Sequence, residues 1–382
     1  MPVDHLLTGE QRDLAEVVAD FCRRECGTPQ RLRALTDDGA LLHNQELYEA
    51  MAELGWLGLG IDPECGGSGG GVTELCLFAE RAARGGAPIS GLVPTSAVAA
   101  ICAESGTDEQ RAEILAGVAS GAVHSLAISE PEAGSDAAAV TCKAVQVDEG
   151  WLLNGHKTWC SNAHFAKEIF VLARTSTERV RTDGLTLFRV PATARGLTVR
   201  PLETMGAAEV NDLYLEDCFV PASAVVGGVG KAWYAVSSGL ERERLLVAAV
   251  VVGVSRRLLG QVVEHVRHRR QFGQAIGAFQ AVRHRLADLA CEIECAETLV
   301  VTTALLADAD PELPLTREIS MAKLKATEVG KQMALEAVQL MGGSAFALES
   351  GVQQPLVSAL AATVYSGTSE IQREIIGASY GL

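Results

Sequence analysis

Apolar residues recur along this chain with two different periods, and the change of period divides it into three stretches. Through about residue 118 the spacing is helical. Thr8-Gly9-Glu10-Gln11 has the form of a capping box, and Leu14, Val17, Val18 and Phe21 follow at helical spacing, predicting an amphipathic helix. The run Gly66-Gly67-Ser68-Gly69-Gly70-Gly71 predicts a flexible loop, with the next helix starting near Thr73. It matches neither a G-x-G-x-x-G nor a Walker pattern, and no strand signal precedes it, so it reads as a loop and not as a phosphate cradle.

From about Val123 to Val226 the period shortens to that of strands. Val145-Gln146-Val147 and Trp151-Leu152-Leu153 flank the turn Asp148-Glu149-Gly150, which predicts a hairpin. Short strands are expected at Ile169–Leu172, Leu185–Phe188 and Leu213–Leu215, with Pro191, Pro201 and Pro221 as punctuation. Strands without long helices between them suggest an antiparallel sheet or small barrel. After Gly230 the helical period returns. Val282, Leu286, Leu289, Ile293, Ala296 and Val300 form one stripe, as bundle packing requires. Pro311 and Pro314 separate that helix from one over Ile319 to about Met341, which Gly342-Gly343 would end. The predicted class is α+β, with a helical domain over 1–118, an antiparallel β domain over 119–228 and a helical bundle over 229–382.

Composition narrows the possibilities. With 382 residues, 48% apolar and 21% charged, the chain can bury a large core without disulfide staples. The longest clean apolar run, Leu245 to Val254, has ten residues, against about 20 for a membrane span. Asp4 and His5 interrupt any secretory signal at once, so a cytoplasmic protein without a membrane partner is expected. A formal charge of −16 argues against nucleic acid as a partner. The ten cysteines contain no C-x-x-C pair and read as reduced, mostly buried side chains. Cys291 and Cys295 lie one helical turn apart with no His pair at ligand spacing, so no metal site is expected.

Five segments carry candidate chemistry. Ala127-Ile128-Ser129-Glu130-Pro131-Glu132-Ala133-Gly134-Ser135-Asp136 ends a strand in a polar loop that can bring backbone N–H groups and a hydroxyl to a ligand. Asn154-Gly155-His156-Lys157-Thr158-Trp159-Cys160-Ser161-Asn162-Ala163 follows. Then come Arg269-Arg270-Gln271-Phe272-Gly273 with Gln280, Gln339-Leu340-Met341-Gly342-Gly343, and Tyr365-Ser366-Gly367-Thr368-Ser369-Glu370. Taken singly, each has a plain structural reading. Trp159 alone reads as a core aromatic, Arg269 as part of a solvated basic face, Gly342-Gly343 as a helix stop, and Ser129 and Ser135 as turn residues.

In this order and spacing the five segments closely resemble the acyl-CoA dehydrogenase family, over nearly the whole chain. The resemblance implies that family's fold: N-terminal helical domain, central antiparallel β domain and C-terminal four-helix bundle. It implies FAD as cofactor, bound without a Rossmann fingerprint. Leu126, Ile128, Ser129, Gly134 and Ser135, with Trp159, Cys160 and Ser161, would hold the flavin ring, Ser129 near its reactive N5 edge. Ser135 would also border the pantetheine arm of the substrate. Arg269, Phe272 and Gln280 would reach the pyrophosphate and adenosine across a subunit interface. Gln339, Gly342 and Gly343, with Thr368, Ser369 and Glu370, would complete that site. A shared site implies a homo-oligomer, usually a tetramer.

The reaction implied removes a proton from Cα of an acyl thioester and sends hydride from Cβ to the flavin. It needs a carboxylate base, which works best in an apolar pocket that raises its pKa. Most members of the family carry a Glu just before the Gly-Thr-Ser of the last motif; here that position is Ser366. A serine without a partner base cannot take an α-proton at neutral pH. Isovaleryl-CoA and long-chain members supply Glu from another helix, immediately before an Arg. Counting back without a gap from Phe272-Gly273 places Glu243-Arg244 on that pair. Glu243 is therefore the expected base, with Arg244, Ser366 and Gly367 beside the substrate and a backbone N–H near Ser366-Gly367 on the thioester carbonyl. The plain reading of Glu243 is a surface charge in a run that opens a helix and suits its dipole.

The same features resemble flavin dehydrogenases that oxidise prolyl groups on carrier proteins. The thioester is thus expected on CoA or on a carrier, although acidic carriers would need a local basic patch on a chain of charge −16. An electron-transfer flavoprotein or oxygen would reoxidise the flavin. The alternative chemistry on the same fold is that of a flavin monooxygenase or oxidase, since relatives lacking the usual Glu include such enzymes. A non-catalytic binding protein would purify without flavin, which the intact FAD-contact pattern argues against.

Overall fold

A computed structural model describes residues 2–178 and 180–382. Among them, six helices lead: α1 (Gly9–Glu25), α2 (Pro29–Leu35), α3 (Gln45–Glu53), α4 (Val72–Gly85), α5 (Leu92–Ser105) and α6 (Asp108–Ala119). Strands follow as β1 (His124–Ala127), β2 (Lys143–Val147), β3 (Gly150–Ser161), β4 (Glu168–Arg174), β5 (Leu185–Pro191), β6 (Leu197–Pro201), β7 (Val210–Pro221) and β8 (Val225–Val226). Next come α7 (Ala232–His268) and the ribbon β9 (Arg270–Gln271) with β10 (Gln274–Ala275). The last helices are α8 (Gln280–Ala309), α9 (Thr316–Met341), α10 (Gln353–Ala362) and α11 (Ser369–Ala378). The elements form two compact units. One comprises Ala40–Gly69 and Ile89–Glu243, the other the residues up to Gly39, Gly70–Pro88 and Arg244–Leu382.

In the unit that contains the strands, the sheet runs β6-β7-β3-β2-β4-β5-β8, with β1 beside β4. The expected hairpin is present: Val147 pairs with Gly150 across Asp148-Glu149. The sheet is antiparallel except that β1 runs parallel to β4 and Lys143 of β2 makes one parallel pair with Arg174. β4 carries apolar side chains on both faces, so it is buried twice over. Ile169 and Val171 join Leu153, Phe188, Leu213 and Leu215 in one core. Phe170 and Leu172 point the other way, into a second core with Val98, Ile101 and Cys102 of α5 and Ile114 and Leu115 of α6. At roughly 1.5–3 kcal/mol per fully buried large apolar side chain, this double burial anchors the strand beside which β1 lies.

The other unit is helical. Its core joins Leu258, Val262 and Val266 of α7, Leu289 and Ile293 of α8, and Val329, Met333, Ala334 and Ala337 of α9. The α8 stripe faces inward from Leu289 to Val300, while Val282 and Leu286 at its start are half-buried. The capping box of α1 forms with both bonds, Gln11 N donating to Thr8 Oγ1 (3.2 Å) and Thr8 N to Gln11 Oε1 (3.0 Å). Val18 and Phe21 are buried, but Val17 is exposed, one position off the core face. α9 begins at Thr316, three residues ahead of the expected Ile319, just after the buried Leu315. α7 contains an 18-residue stretch long and apolar enough to cross a membrane, yet 56% of that stretch is buried inside the protein, as in a core helix.

Candidate active site

The flavin-contact residues expected from two distant segments meet in the strand-bearing unit. β1 ends at Ala127 and the chain turns into the loop that carries Ile128, Ser129, Gly134 and Ser135. β3 brings Thr158 to Ser161 alongside: Thr158 N donates to Ser129 O (3.0 Å), and Cys160 Sγ lies 3.6 Å from Leu126 O. The carbonyls of Cys160 and Ser161 are held in turn by Asn211 Nδ2 (2.9 Å) and Ser125 Oγ (2.7 Å). Burial, against the opposing charge of Lys157, pushes the Cys160 thiol up to about 12, so it is a packing residue and not a nucleophile.

Trp159 does not sit in the core. It is 62% exposed and has φ +58°, a conformation that costs a bulky residue of order 1–3 kcal/mol. An apolar ring held out in that state offers a face to a flat partner. Gly134 adds open backbone, since a Cβ there would meet nothing within 4 Å. The half-buried hydroxyl of Ser129 and the exposed one of Ser135 complete a surface of the kind a flavin ring fits.

Two residues here escaped the sequence reading. Lys157 Nζ donates to Glu130 Oε1 (2.8 Å) and Ile128 O (2.8 Å), and both side chains are buried. Burial alone would raise the Glu130 carboxyl. The Lys157 charge and the bonds from Lys157, Thr141 N and Cys142 N outweigh it and hold Glu130 below the usual carboxylate range. The signal was available: Lys157 follows Leu153 on the inward face of β3, and a lysine there needs a partner.

In the helical unit the last motif forms a tight turn. Ser366 (φ +54°) and Gly367 (φ +86°) are both left-handed, and a Cβ on Gly367 would meet Gln372 Nε2 at 2.6 Å. Ser366 O accepts from Gln372 Nε2 (3.3 Å) and Arg244 Nε (3.4 Å). Gly367 O accepts from Lys323 Nζ (2.7 Å) and Gln372 Nε2 (3.1 Å). Lys323, fully buried, also holds Ala362 O (2.9 Å). With these carbonyls pinned, the peptide planes and the directions of their N–H groups are fixed. Thr368 caps α11 by accepting from Ile371 N (3.2 Å), leaving Ser369 buried and Glu370 exposed in its first turn.

The remaining expected contacts lie on the surface of the single chain. Arg269, Gln280, Gln339, Gly342 and Gly343 are exposed. Phe272 and Gly273 close the β9–β10 ribbon with φ +51° and +83°, the conformation of a two-residue hairpin turn, and Phe272 is 92% exposed. Gly342 stops α9 as expected, with φ +57°.

Glu243 is half-buried and lies eleven residues inside α7, which starts at Ala232. It does not open a helix, so the dipole explanation for its charge fails, since that effect fades within the first turn.

Models of the acyl-CoA dehydrogenase N-terminal, middle and C-terminal domains match residues 8–122, 125–218 and 230–381. A probable acyl-CoA dehydrogenase of Bacillus subtilis (strain 168), YngJ, is 34% identical over 376 residues, covering 97% of each chain. The mitochondrial isovaleryl-CoA dehydrogenase of Solanum tuberosum is 34% identical over 378 residues, covering 97% of this chain and 90% of its own. Among solved structures, butyryl-CoA dehydrogenase of Megasphaera elsdenii superposes with a TM-score of 0.91 at 27% identity, covering 98% and 99% of the two chains. The prolyl acyl carrier protein oxidase AnaB gives 0.89 at 28% (98% and 100%), and PigA with FAD and proline 0.89 at 25% (98% and 98%). The chain belongs to the acyl-CoA dehydrogenase family and is an FAD-dependent oxidoreductase acting on CH–CH bonds.

Proposed function

We propose that this protein dehydrogenates an acyl thioester at its Cα–Cβ bond, with Glu243 as the base that takes the α-proton. FAD, when bound, supplies the acceptor for the hydride leaving Cβ. The observation that carries the assignment is the pairing of departures: Ser366 stands where most of the family has its carboxylate, and Glu243 is half-buried well inside a helix. Helix-interior backbone restricts a side chain to few rotamers, which suits a base that must meet one proton. The resemblance implies a small residue at the place of Ser366 in members whose carboxylate comes from another helix.

The turn at Ser366-Gly367, held by Arg244, Lys323 and Gln372, aims a backbone N–H at the thioester carbonyl, where negative charge develops as the α-proton leaves. Leu126, Ile128, Ser129, Gly134, Trp159, Cys160 and Ser161 receive the flavin, and Ser135 borders the pantetheine arm. Likeness to butyryl-CoA dehydrogenase and to a prolyl acyl carrier protein oxidase supports a thioester carried by CoA or by a carrier protein. The acceptor is an electron-transfer flavoprotein; oxygen is the second reading, favoured by the likeness to AnaB, which is described as an oxidase.

Arg269, Phe272, Gln280, Gln339, Gly342 and Gly343 lie exposed on one chain, which supports an FAD site completed by a second copy within a homotetramer. Thr368, Ser369 and Glu370 add a helix N-terminus, favourable for the pyrophosphate. Sedimentation of the flavin-loaded protein should give four chains; a monomer that keeps FAD would contradict the shared site. Glu243→Gln should retain FAD and its spectrum while losing about 10²–10⁴-fold or more in kcat. Full activity in that variant would remove Glu243 from its role.

A further inference from the structure

Lys157 has none of its surface exposed, and Glu130 only 7%. A buried ion pair is a poor way to gain stability, because desolvating both charges offsets most of their attraction, and an apolar pair of similar volume often serves as well. What this pair does have is an unusual concentration of backbone partners. The Lys157 ammonium donates to Ile128 O as well as to Glu130. The Glu130 carboxylate also accepts from Thr141 N (2.7 Å), Thr141 Oγ1 (2.8 Å) and Cys142 N (2.8 Å).

Together with a neighbouring backbone bond, they tie three consecutive residues of one loop. Ile128 is tied through its carbonyl to Lys157, Ser129 through its carbonyl to Thr158 N, and Glu130 through its side chain to Lys157 and to residues 141–142. Glu130 and Ala133 then exchange two backbone bonds of 3.0 Å that close the turn leading to Gly134 and Ser135. Ile128 and Ala133 also pack against an apolar core, but the backbone of residues 128–130 is set by polar bonds to β3 and to the segment just before β2, so the shape of the loop depends on them.

We propose that Lys157 and Glu130 are positioning residues that hold the 128–135 backbone in the shape that receives the flavin. The proposal rests on the reading that this loop contacts the flavin. It assigns neither residue a contact with flavin or substrate.

The test compares Lys157→Met, Lys157→Met/Glu130→Gln, Thr141→Val and Ser129→Ala with the parent. FAD affinity, the shape of the bound-flavin absorption band and the apoprotein melting temperature are read for each. Lys157→Met alone leaves a buried carboxylate unpaired and should lower both melting temperature and affinity. The neutral double variant should recover the melting temperature yet bind FAD about tenfold more weakly, with an altered band, because pre-organisation is lost. Thr141→Val removes one hydroxyl bond and should shift affinity the same way by a few-fold at unchanged melting temperature, which keeps the test open if the double variant fails to fold. Parental affinity and band in the double variant, or in Thr141→Val if the double variant is lost, would overturn the proposal. Ser129→Ala separates the two claims: if it also leaves the band unchanged, the loop is not the flavin contact and the underlying reading fails; if it alters the band, only the positioning role fails.

Discussion

His124, on β1, is 1% exposed, and its Nδ1 lies 3.7 Å from Glu168, too far for a hydrogen bond. Burial, helped by the charges of Lys167 and Arg189, pulls its pKa from 6.5 down to about 4. In the unfolded chain it titrates near its ordinary value. Between those two pH values the unfolded state holds a proton that the folded state does not. The stability this neutral histidine contributes is therefore complete above about pH 6.5 and is lost as pH falls through about 4, on the order of 3 kcal/mol in all. Denaturant unfolding of the apoprotein at pH 7 and pH 5 should show this loss, and His124→Leu should flatten it. An equal slope in both proteins would assign the acid sensitivity to other groups. At this scale the sequence is enough to put forward Glu243, Arg244 and Ser366, because each is picked out by its position relative to two short motifs. Lys157 signals in sequence only that it needs a partner; that the partner is Glu130, 27 positions away, is decided by the fold. The exposure of Trp159 was also hidden, since nothing in its neighbours signals a left-handed backbone.

Elements were legible where one period dominates. The α8 stripe, the β2–β3 hairpin and the Gly342 helix stop all form, because apolar spacing and turn chemistry are local properties. Where a tertiary partner decides, sequence runs out. Val17 has the right residue type and spacing but faces solvent. β1 has four residues, too few to reveal that it would pair parallel with β4. The start of α4 is capped by a side chain far away in sequence: Asp308 at the end of α8 accepts from Val72 N (2.7 Å) and Thr73 N (2.8 Å). That carboxylate satisfies two orphan donors and meets the positive end of the helix dipole. No window around Val72 contains it.

For the whole molecule, texture along the chain tells element type but not which elements share a core. α5 and α6 read as part of a helical stretch, yet their apolar faces pack on Phe170 and Leu172 of the sheet. Family membership settles the cofactor and the class of bond acted upon, while the carrier of the thioester and the base rest on the residues argued above. The most direct measurement is an anaerobic titration of the FAD-loaded protein with a panel of acyl-CoA and acyl-carrier-protein thioesters, followed in the visible spectrum. The account predicts that one class bleaches the flavin and is recovered as its α,β-unsaturated product. A yellow protein that no thioester bleaches would contradict thioester dehydrogenation.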